Sequence, residues 1–217
     1  MKIGVLSDTH GLLRPEALVA LEGCGAILHG GDINRQEILD GLSKVAPVYA
    51  VRGNNDREWA EGLPLSLDIR LAGLRVYMTH KKKDQPADLG DYDLAVFGHS
   101  HRYEESRIGR TLLLNPGSCG PRRFNQAITL AVLEVGGGEI AVRRVDIPHR
   151  GRGGALPKAV DLKAQIEAVM RETGKGRGPR EISGRHGWDE ATVGQIVRLI
   201  VTHPGVTADG IMEKMGL

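Results

Sequence analysis

The stretch Asp93-Leu94-Ala95-Val96-Phe97-Gly98-His99-Ser100-His101 is the most informative part of this sequence, because an apolar run ends there in two histidines. A short apolar run followed by glycine predicts a buried strand that ends in a loop. Side chains at positions i and i+2 of a regular strand point to opposite faces of the sheet. The two histidines can therefore serve one site only if the backbone bends at the strand end, which Gly98 permits.

The same arrangement of a strand followed by polar residues occurs three times near the start of the chain. Helical segments beginning at Pro15 and at about Arg35 separate the three predicted strands, which lie at 2–7, 26–29 and 47–51. The polar residues that follow them are Asp8-Thr9-His10, Gly30-Gly31-Asp32 and Gly53-Asn54-Asn55-Asp56. Three strand–loop–helix units in succession predict a parallel α/β sheet with a site along its carboxyl edge.

The second half of the predicted globular region is mostly β. One hairpin turns at Ala72-Gly73 and leads into His80, and another turns at Gly109 and leads into Asn115-Pro116-Gly117-Ser118. Two further strands are joined by Gly136-Gly137-Gly138. The pattern predicts a two-sheet α/β sandwich with helices outside for the whole of residues 1–147.

The composition sets limits on the class of protein. The chain has 217 residues, of which 41% are hydrophobic and 26% charged, as expected for one globular domain with a smaller addition. A formal net charge of +2 is too small to indicate nucleic-acid binding by itself. Two cysteines exclude a disulfide scaffold. With no signal peptide and no apolar run of about 18 residues, the sequence predicts a cytoplasmic protein without a membrane partner.

The character of the sequence changes after Pro148. We expect a catalytic domain over residues 1–147, an Arg- and Gly-rich linker over 148–157, and a small all-α domain over 158–217. Residues 180–193 resemble the helix-turn-helix of bacterial regulators. The apolar positions hold Ile182 and Val193, the turn holds Gly187, and the helix cap is Asp189. In such a motif the side chains available to contact a nucleic acid would be Thr192, Gln195 and Arg198. The sequence favours a helical bundle that packs on the catalytic domain or mediates dimerisation, and nucleic-acid binding by this region is the alternative.

Seven potential metal ligands follow the predicted strands. They are Asp8, His10, Asp32, Asn54, His80, His99 and His101. A mixture of carboxylate, imidazole and amide groups suits Mn²⁺, Fe or Zn²⁺ better than Ca²⁺ or Mg²⁺. Seven ligands are too many for one ion that keeps an open position, so the set predicts two ions. Two divalent ions with only two carboxylates leave a positive site, which favours a phosphoryl substrate.

The order of these motifs resembles that of the calcineurin-like metallophosphoesterases. The matching motifs are Asp8-x-His10, Gly31-Asp32, Gly53-Asn54-x-Asp56, His80 and Gly98-His99-x-His101. The segment Asn115-Pro116-Gly117-Ser118 is similar to that of the small YfcE-type phosphodiesterases. The resemblance covers about residues 1–147. It implies a four-layer α/β/β/α sandwich that hydrolyses phosphate esters, diesters more than monoesters, by attack of a metal-bound hydroxide.

The resemblance also implies a role for each ligand. One ion would lie on Asp8, His10, Asp32 and His101, and the other on Asp32, Asn54, His80 and His99, so that Asp32 bridges them. Catalysis would fall to Asp32, Asn54 and His99. Manganese is the cofactor that the resemblance favours, and Fe, Zn, Ni and Co are alternatives.

Two substrate-binding residues complete the prediction, Asn55 and Arg122. Many relatives have histidine at the position of Asn55, and an amide cannot protonate a leaving group, so the general acid is unassigned. The run Lys81-Lys82-Lys83 is either a binding surface for a polyanionic substrate or a solvated charge run. His29 is either a residue that orients a metal ligand or a hydrogen-bonded core histidine.

The expected partners are a small phosphate-ester substrate and a second copy of the chain in a homo-oligomer. The alternative function is that of a nuclease or a nucleic-acid-binding regulator that uses the helix-turn-helix-like region.

Overall fold

The computed structural model describes residues 1–122, 126–148, 162–188 and 190–215. These residues form two compact units. The first contains Met1–Pro121 and the chain from Ala127 to residue 148, and the second contains Arg122, Gln126 and the C-terminal helices. The predicted linker beyond Pro148 and the predicted cap Asp189 lie outside the described residues. The domain limits at 147 and 158 therefore stay predictions.

The first unit contains ten strands in two five-stranded sheets. The strands are β1 (Lys2–Leu6), β2 (Ala26–His29), β3 (Val48–Ala50), β4 (Ser66–Leu71), β5 (Leu74–Thr79), β6 (Leu94–Val96), β7 (Tyr103–Ile108), β8 (Thr111–Pro116), β9 (Ile128–Gly136) and β10 (Glu139–Ile147). The first sheet has the order β10-β9-β1-β2-β3, and the second has the order β4-β5-β6-β8-β7. Strands β1, β2 and β3 are parallel, as are β5, β6 and β8. Each sheet therefore has a carboxyl edge formed by three parallel strands.

Helices α1 (Pro15–Leu21) and α2 (Gln36–Ser43) cover the outer face of the first sheet. Leu21 and Leu42 are fully buried in this layer. The core between the sheets contains Val5, Leu28, Met78, Leu94 and Leu114, and burial of each such side chain contributes about 1.5–3 kcal/mol. On the outer face of the second sheet, Phe97 and Leu113 pack against Leu89 and Tyr92 from the segment before β6.

The second unit is helical. It consists of α3 (Leu162–Gly174), α4 (Pro179–His186), α5 (Glu190–Thr202) and α6 (Ala208–Met215). Ile166, Ile182, Val193 and Ile211 are fully buried in its core. The predicted mixed α/β fold with additional C-terminal helices is confirmed. No helix among the described residues is both long and apolar enough to cross a membrane.

The predicted helix pair is present in the second unit. Helix α4 ends at Gly187, whose φ of 67° gives the left-handed turn that glycine adopts easily. Ile182 and Val193 are buried, as expected of apolar positions in a helix pair. The prediction that Thr192 faces a nucleic acid is wrong, because only 3% of Thr192 is exposed, although Arg198 is exposed. Thr192 directly precedes Val193 and lies on the buried side of α5.

Candidate metal centre

All seven predicted ligands lie at or just beyond the carboxyl ends of parallel strands. Asp8 and His10 follow β1, Asp32 follows β2, and Asn54 follows β3, all in the first sheet. His80 follows β5 in the second sheet, and His99 and His101 follow β6. The two sheets pack face to face, and the N–H of His99 after β6 donates to Asp8 Oδ2 after β1 at 3.1 Å, so both carboxyl edges meet at one end of the sandwich.

Five of these ligands have a left-handed backbone conformation that non-glycine residues rarely adopt. Their φ angles are 55° for Asp8, 45° for His10, 54° for Asp32, 71° for His99 and 58° for His101. Each such residue costs about 1–2 kcal/mol, and strain of this kind is concentrated at functional sites. The conformations turn successive side chains toward a common point, which regular strand geometry does not allow.

The predicted bend after β6 is present, but its location differs from the prediction. The left-handed residues are His99 and His101, and Gly98 has no positive φ. Glycine is needed at position 98 for a different reason. A Cβ atom there would lie 2.0 Å from Ser7 Oγ and 2.7 Å from Asp8 Oδ2. Gly98 therefore allows the loop after β6 to approach the loop after β1.

One group of potential ligands consists of Asp8, His10 and His101. Nε2 of His101 lies 3.1 Å from Asp8 Oδ1 and 3.2 Å from Nε2 of His10. The distance from His10 Nε2 to Asp8 Oδ1 is 3.8 Å. Two atoms that each lie about 2.1 Å from one ion are roughly 3.0–3.4 Å apart in ordinary coordination geometries. The two separations that involve His101 lie within this range, whereas the 3.8 Å between His10 Nε2 and Asp8 Oδ1 is longer.

A second group consists of Asp8, Asp32 and His80. Asp32 Oδ1 lies 3.4 Å from His80 Nε2, and Asp32 Oδ2 lies 3.9 Å from His10 Nε2. The two oxygens of Asp32 thus face different histidines, as expected of a bridging carboxylate. Asp8 belongs to both groups, which the sequence did not indicate.

His99 and Asn54 lie outside these two groups. The His99 ring is half-buried, and its centroid is 5.2 Å from that of His80 in an edge-on arrangement. Asn54 is exposed and lines a cavity together with His80. Both residues adjoin the centre, and their coordination of an ion stays a prediction.

Neighbouring groups orient the ligands. The His80 Nδ1–H donates to the carbonyl of Gly30 at 2.7 Å, which directs Nε2 toward Asp32. Asp8 Oδ2 accepts hydrogen bonds from Ser7 Oγ at 2.6 Å and from the backbone N–H of His99 at 3.1 Å, which leaves Oδ1 for the histidines. Hydrogen bonds of this kind from the second atom of a ligand are typical of metal sites.

Asn55 contacts Asp32 twice. Its backbone N–H donates to Asp32 Oδ1 at 2.8 Å, and its Nδ2 donates to Asp32 Oδ2 at 2.6 Å. The observed contacts of Asn55 are therefore with a predicted ligand, and its role toward the substrate stays a prediction.

The ionisation of the site is shaped by burial and by its mixture of charges. Burial by itself raises the pKa of Asp8. The neighbouring imidazoles of His101, His80 and His10 lower it by more than burial raises it, so the net pKa is well below its usual range. Burial also opposes the charge of Asp32, whose pKa is nevertheless lowered by the imidazole of His80, whose Nε2 lies 3.4 Å from Asp32 Oδ1. Burial lowers the pKa of His80, but Asp32 and Asp8 outweigh it and raise the pKa to about 9. The metal-free centre thus has two carboxylates and a protonated His80 at neutral pH.

The residues present fit a divalent cation. Among the described residues, two buried ligand atoms have no hydrogen-bond partner, Asp8 Oδ1 and His80 Nε2. An unpaired buried polar atom normally costs about 1–3 kcal/mol, and a cation would satisfy both atoms. Carboxylate and imidazole donors in one cluster match the borderline metals that the sequence predicted.

Three residues that support the site were not assigned from the sequence. Asp56 is 3% exposed and accepts three backbone N–H groups, from Ile33, Asn34 and Gly53. Buried Asn115 donates through Nδ2 to the carbonyl of Gly98 at 2.9 Å and to Ser100 Oγ at 3.0 Å. The Oγ of Ser118 donates to the carbonyl of Asp8 at 3.0 Å. The sequence showed Asp56 and Asn115 as members of motifs but gave no role for either, because their hydrogen-bond partners are distant in sequence.

His29 is a buried histidine that holds two of the loops. The N–H of Gly31 donates to its Nδ1 at 3.2 Å, and its Nε2 lies 3.0 Å from Thr9 Oγ1. Burial lowers the pKa of His29 to about 4, so the ring is neutral. His29 therefore contacts the loops after β1 and β2 rather than a ligand side chain.

The lysine run and Arg122 have different surroundings. Lys82 forms an ion pair with Glu104, and Lys83 is exposed, whereas Lys81 is half-buried beside His80. Only Lys81 therefore faces the centre. Arg122 groups with the helical unit, and its role in substrate binding stays a prediction.

A two-sheet sandwich that gathers carboxylate and imidazole groups at its strand ends is the arrangement of a metal-dependent phosphoesterase. A family model of the calcineurin-like phosphoesterase superfamily domain matches residues 1–138. The chain belongs to this family, and the predicted family is confirmed.

Related proteins agree with this assignment. A probable metallophosphoesterase of Methanothermobacter thermautotrophicus is 34% identical over 132 residues, which are 54% of this chain and 77% of that protein. A phosphodiesterase of Methanocaldococcus jannaschii is 26% identical over 141 residues, covering 55% of this chain and 84% of that protein. The solved structure of an archaeal phosphodiesterase shares the fold, with a TM-score of 0.57, 24% identity, and coverage of 68% of this chain and all of the other.

Proposed function

We propose that this chain is a dinuclear phosphodiesterase in which Asp32 bridges two divalent ions. The observation that carries the proposal is the position of Asp32, whose two oxygens face His80 and His10 in adjoining ligand groups. Asp8, His10 and His101 would hold one ion, and His80, Asn54 and His99 would hold the other. The name of the relative from Methanocaldococcus jannaschii supports a diester substrate.

The chain's own residues contribute position and charge to the reaction. Two bound divalent ions would activate the attacking water and neutralise the phosphoryl oxygens. Asp8 and Asp32 would hold the ions, and hydrogen bonds with Ser7, Asn55 and Gly30 fix the orientation of Asp8, Asp32 and His80. None of the described contacts supplies an acid for the leaving group at Asn55, so we expect substrates with good leaving groups to react best. Manganese, a homo-oligomeric state and a cytoplasmic location stay predictions.

The test is hydrolysis of bis(p-nitrophenyl) phosphate and of p-nitrophenyl phosphate by protein stripped of metal and then supplied with Mn²⁺. We expect metal-dependent turnover that EDTA abolishes, with the diester preferred. Asp32→Ala and His99→Ala should each reduce kcat by at least 10²-fold, because each removes a ligand or a group beside one. His203→Ala, an exposed histidine of the helical unit, is the matched control. No metal-dependent turnover of either ester, or retained activity in Asp32→Ala, would contradict the proposal.

Nucleic-acid binding by the helical unit is the weaker candidate. Several of its basic groups are already paired, since Arg177 contacts Glu172 and Glu181, and Arg185 contacts Glu181. Paired cations contribute little to phosphate binding. Salt-dependent binding of a DNA duplex that is lost in Arg198→Ala would favour this function, and no binding at low salt would exclude it.

A further inference from the structure

A cavity of about 300 Å³ adjoins the metal centre in the first unit. Two predicted ligands, Asn54 and His80, form part of its wall. If the phosphoryl group of a substrate is bound at the metal centre, the organic group attached to it can extend directly into this cavity. The inference drawn from it rests on the proposed phosphoesterase function and concerns the rest of the substrate.

Two cationic side chains line the cavity, Arg52 and Lys81. The Arg52 Nε donates to the carbonyl of Asp56 at 3.1 Å, which holds the guanidinium in place. Within the described parts of the chain, the two terminal nitrogens of Arg52 have no hydrogen-bond partner, and Lys81 has no ion-pair partner. Arginine held in this way presents a fork of donors that matches a phosphate geometrically.

One acidic residue also lines the cavity. Asp84 is exposed, and its N–H donates to the carbonyl of Lys81 across a short 3₁₀ turn, Lys82–Asp84. Its carboxylate offsets one of the two positive charges. The lining keeps a net positive charge, and Arg52 and Lys81 are both half-buried, so that their charges are less screened than charges on the open surface.

Part of the remaining wall is apolar, and Ser66 and Thr79 add hydroxyl groups to it. Tyr77 is half-buried on β5, and Leu65 is 72% exposed at the rim. A large exposed apolar side chain beside a polar cavity is suited to cover the organic part of a ligand. The cavity thus combines an apolar wall with two cations next to a metal centre.

We propose that this cavity is a subsite for a second phosphoryl group on the same substrate, bound by Arg52 and Lys81. The preferred substrates are then phosphate esters that carry a further phosphate on the organic group. Esters with a single phosphate bind through the metal centre alone and are held more weakly.

Equilibrium binding separates this subsite from catalysis. The probes are adenosine 5′-monophosphate and adenosine 3′,5′-bisphosphate, which carries one further phosphate on its ribose, titrated calorimetrically into Mn²⁺-loaded protein. We expect an added phosphate to tighten binding at least tenfold, equivalent to about 1.4 kcal/mol. Lys81→Met should abolish most of this gain, measured as the ratio of the two affinities within the same variant. Lys81→Arg should retain the gain.

Lys83→Met is the matched control, because Lys83 lies two residues away in the same run and is exposed. It should keep the full preference for the added phosphate. Arg52→Gln provides a second, independent loss of the gain. Equal affinity of the unmodified protein for both probes would overturn the subsite, as would equal losses in Lys81→Met and Lys83→Met.

The two proposals fail in different ways. A preference for the added phosphate without any metal-dependent hydrolysis would support the subsite and contradict the proposed catalytic function. Hydrolysis without that preference would support the catalytic function and overturn the subsite.

Discussion

Replacing Asp56 with asparagine should weaken both the fold and the metal centre. Asp56 Oδ1 accepts the backbone N–H groups of Ile33 at 2.8 Å and Asn34 at 2.6 Å, and Oδ2 accepts the N–H of Gly53 at 2.8 Å. One buried carboxylate therefore ties the loop after β2, which carries Asp32, to the loop after β3.

The magnitude follows from these three hydrogen bonds. Asparagine has the same shape, but one of its terminal atoms is an NH₂ group. If the amide oxygen keeps the bonds to Ile33 and Asn34, the NH₂ group faces the N–H of Gly53, and two donors oppose each other. Loss of one hydrogen bond to a charged group costs about 1.5–3 kcal/mol, and the other two become neutral bonds of roughly half the strength. We expect Asp56→Asn to lower the free energy of unfolding by about 3–5 kcal/mol, a large share of a typical 5–15 kcal/mol.

Urea unfolding of the metal-free protein measures this change. In a Trp188→Phe background, the fluorescence of Trp59 reports on the first unit, because these are the two tryptophans of the chain. Asp40→Asn is the control, since Asp40 is exposed and accepts a single side-chain bond from Gln36. The control should change the free energy by less than about 0.5 kcal/mol. A loss below about 1 kcal/mol in Asp56→Asn would refute the view that this carboxylate clamps the two loops.

Three other outcomes are expected at the metal centre. Because the pKa of His80 is raised to about 9, a metal must displace its proton at neutral pH. The apparent Mn²⁺ affinity, measured by calorimetry, should therefore rise about tenfold from pH 7 to pH 8 and level off above pH 9, and an affinity independent of pH would contradict this. Gly98→Ala places a Cβ 2.0 Å from a neighbouring hydroxyl and should lower Mn²⁺ affinity at least tenfold, whereas Gly62→Ala, with nothing within 4 Å, should not. Asn55→Ala removes a 2.6 Å hydrogen bond to Asp32 and should weaken Mn²⁺ binding, measured by calorimetry, about 10–100-fold, whereas unchanged Mn²⁺ affinity would contradict the role of Asn55 in orienting Asp32.

Much of the site could be predicted from local patterns. Short apolar runs that end in Asp, Asn or His identify both the strands and the ends that carry the ligands. Because parallel strands of one sheet place their carboxyl ends on one edge, Asp8 and Asp32 could be assigned to one site without coordinates. His101 follows a strand of the second sheet and was assigned to that site through the resemblance to the family's motifs. The helices of the second unit were predictable from their apolar spacing in the same way.

Other features depend on contacts between residues that are distant in sequence. The position of the bend after β6 was misplaced at Gly98, because glycine is the usual sign of a left-handed backbone. Here the surrounding loops hold His99 and His101 in that conformation instead, and Gly98 is required for a close approach to Ser7. Thr192 was misplaced for a similar reason, since the helix period alone did not show which side of α5 is covered.

The sequence by itself determined the two-sheet fold and indicated the candidate ligands and their order along the chain, because strand periodicity and residue chemistry are local properties. The tertiary structure alone decided that Asp8 belongs to both ligand groups, that Asp56 joins two loops, and that Lys81 faces a cavity with Arg52 while Lys82 and Lys83 do not. These facts are distances and directions across two packed sheets. They are set by how the apolar faces fit together, and no local pattern of residues records that fit.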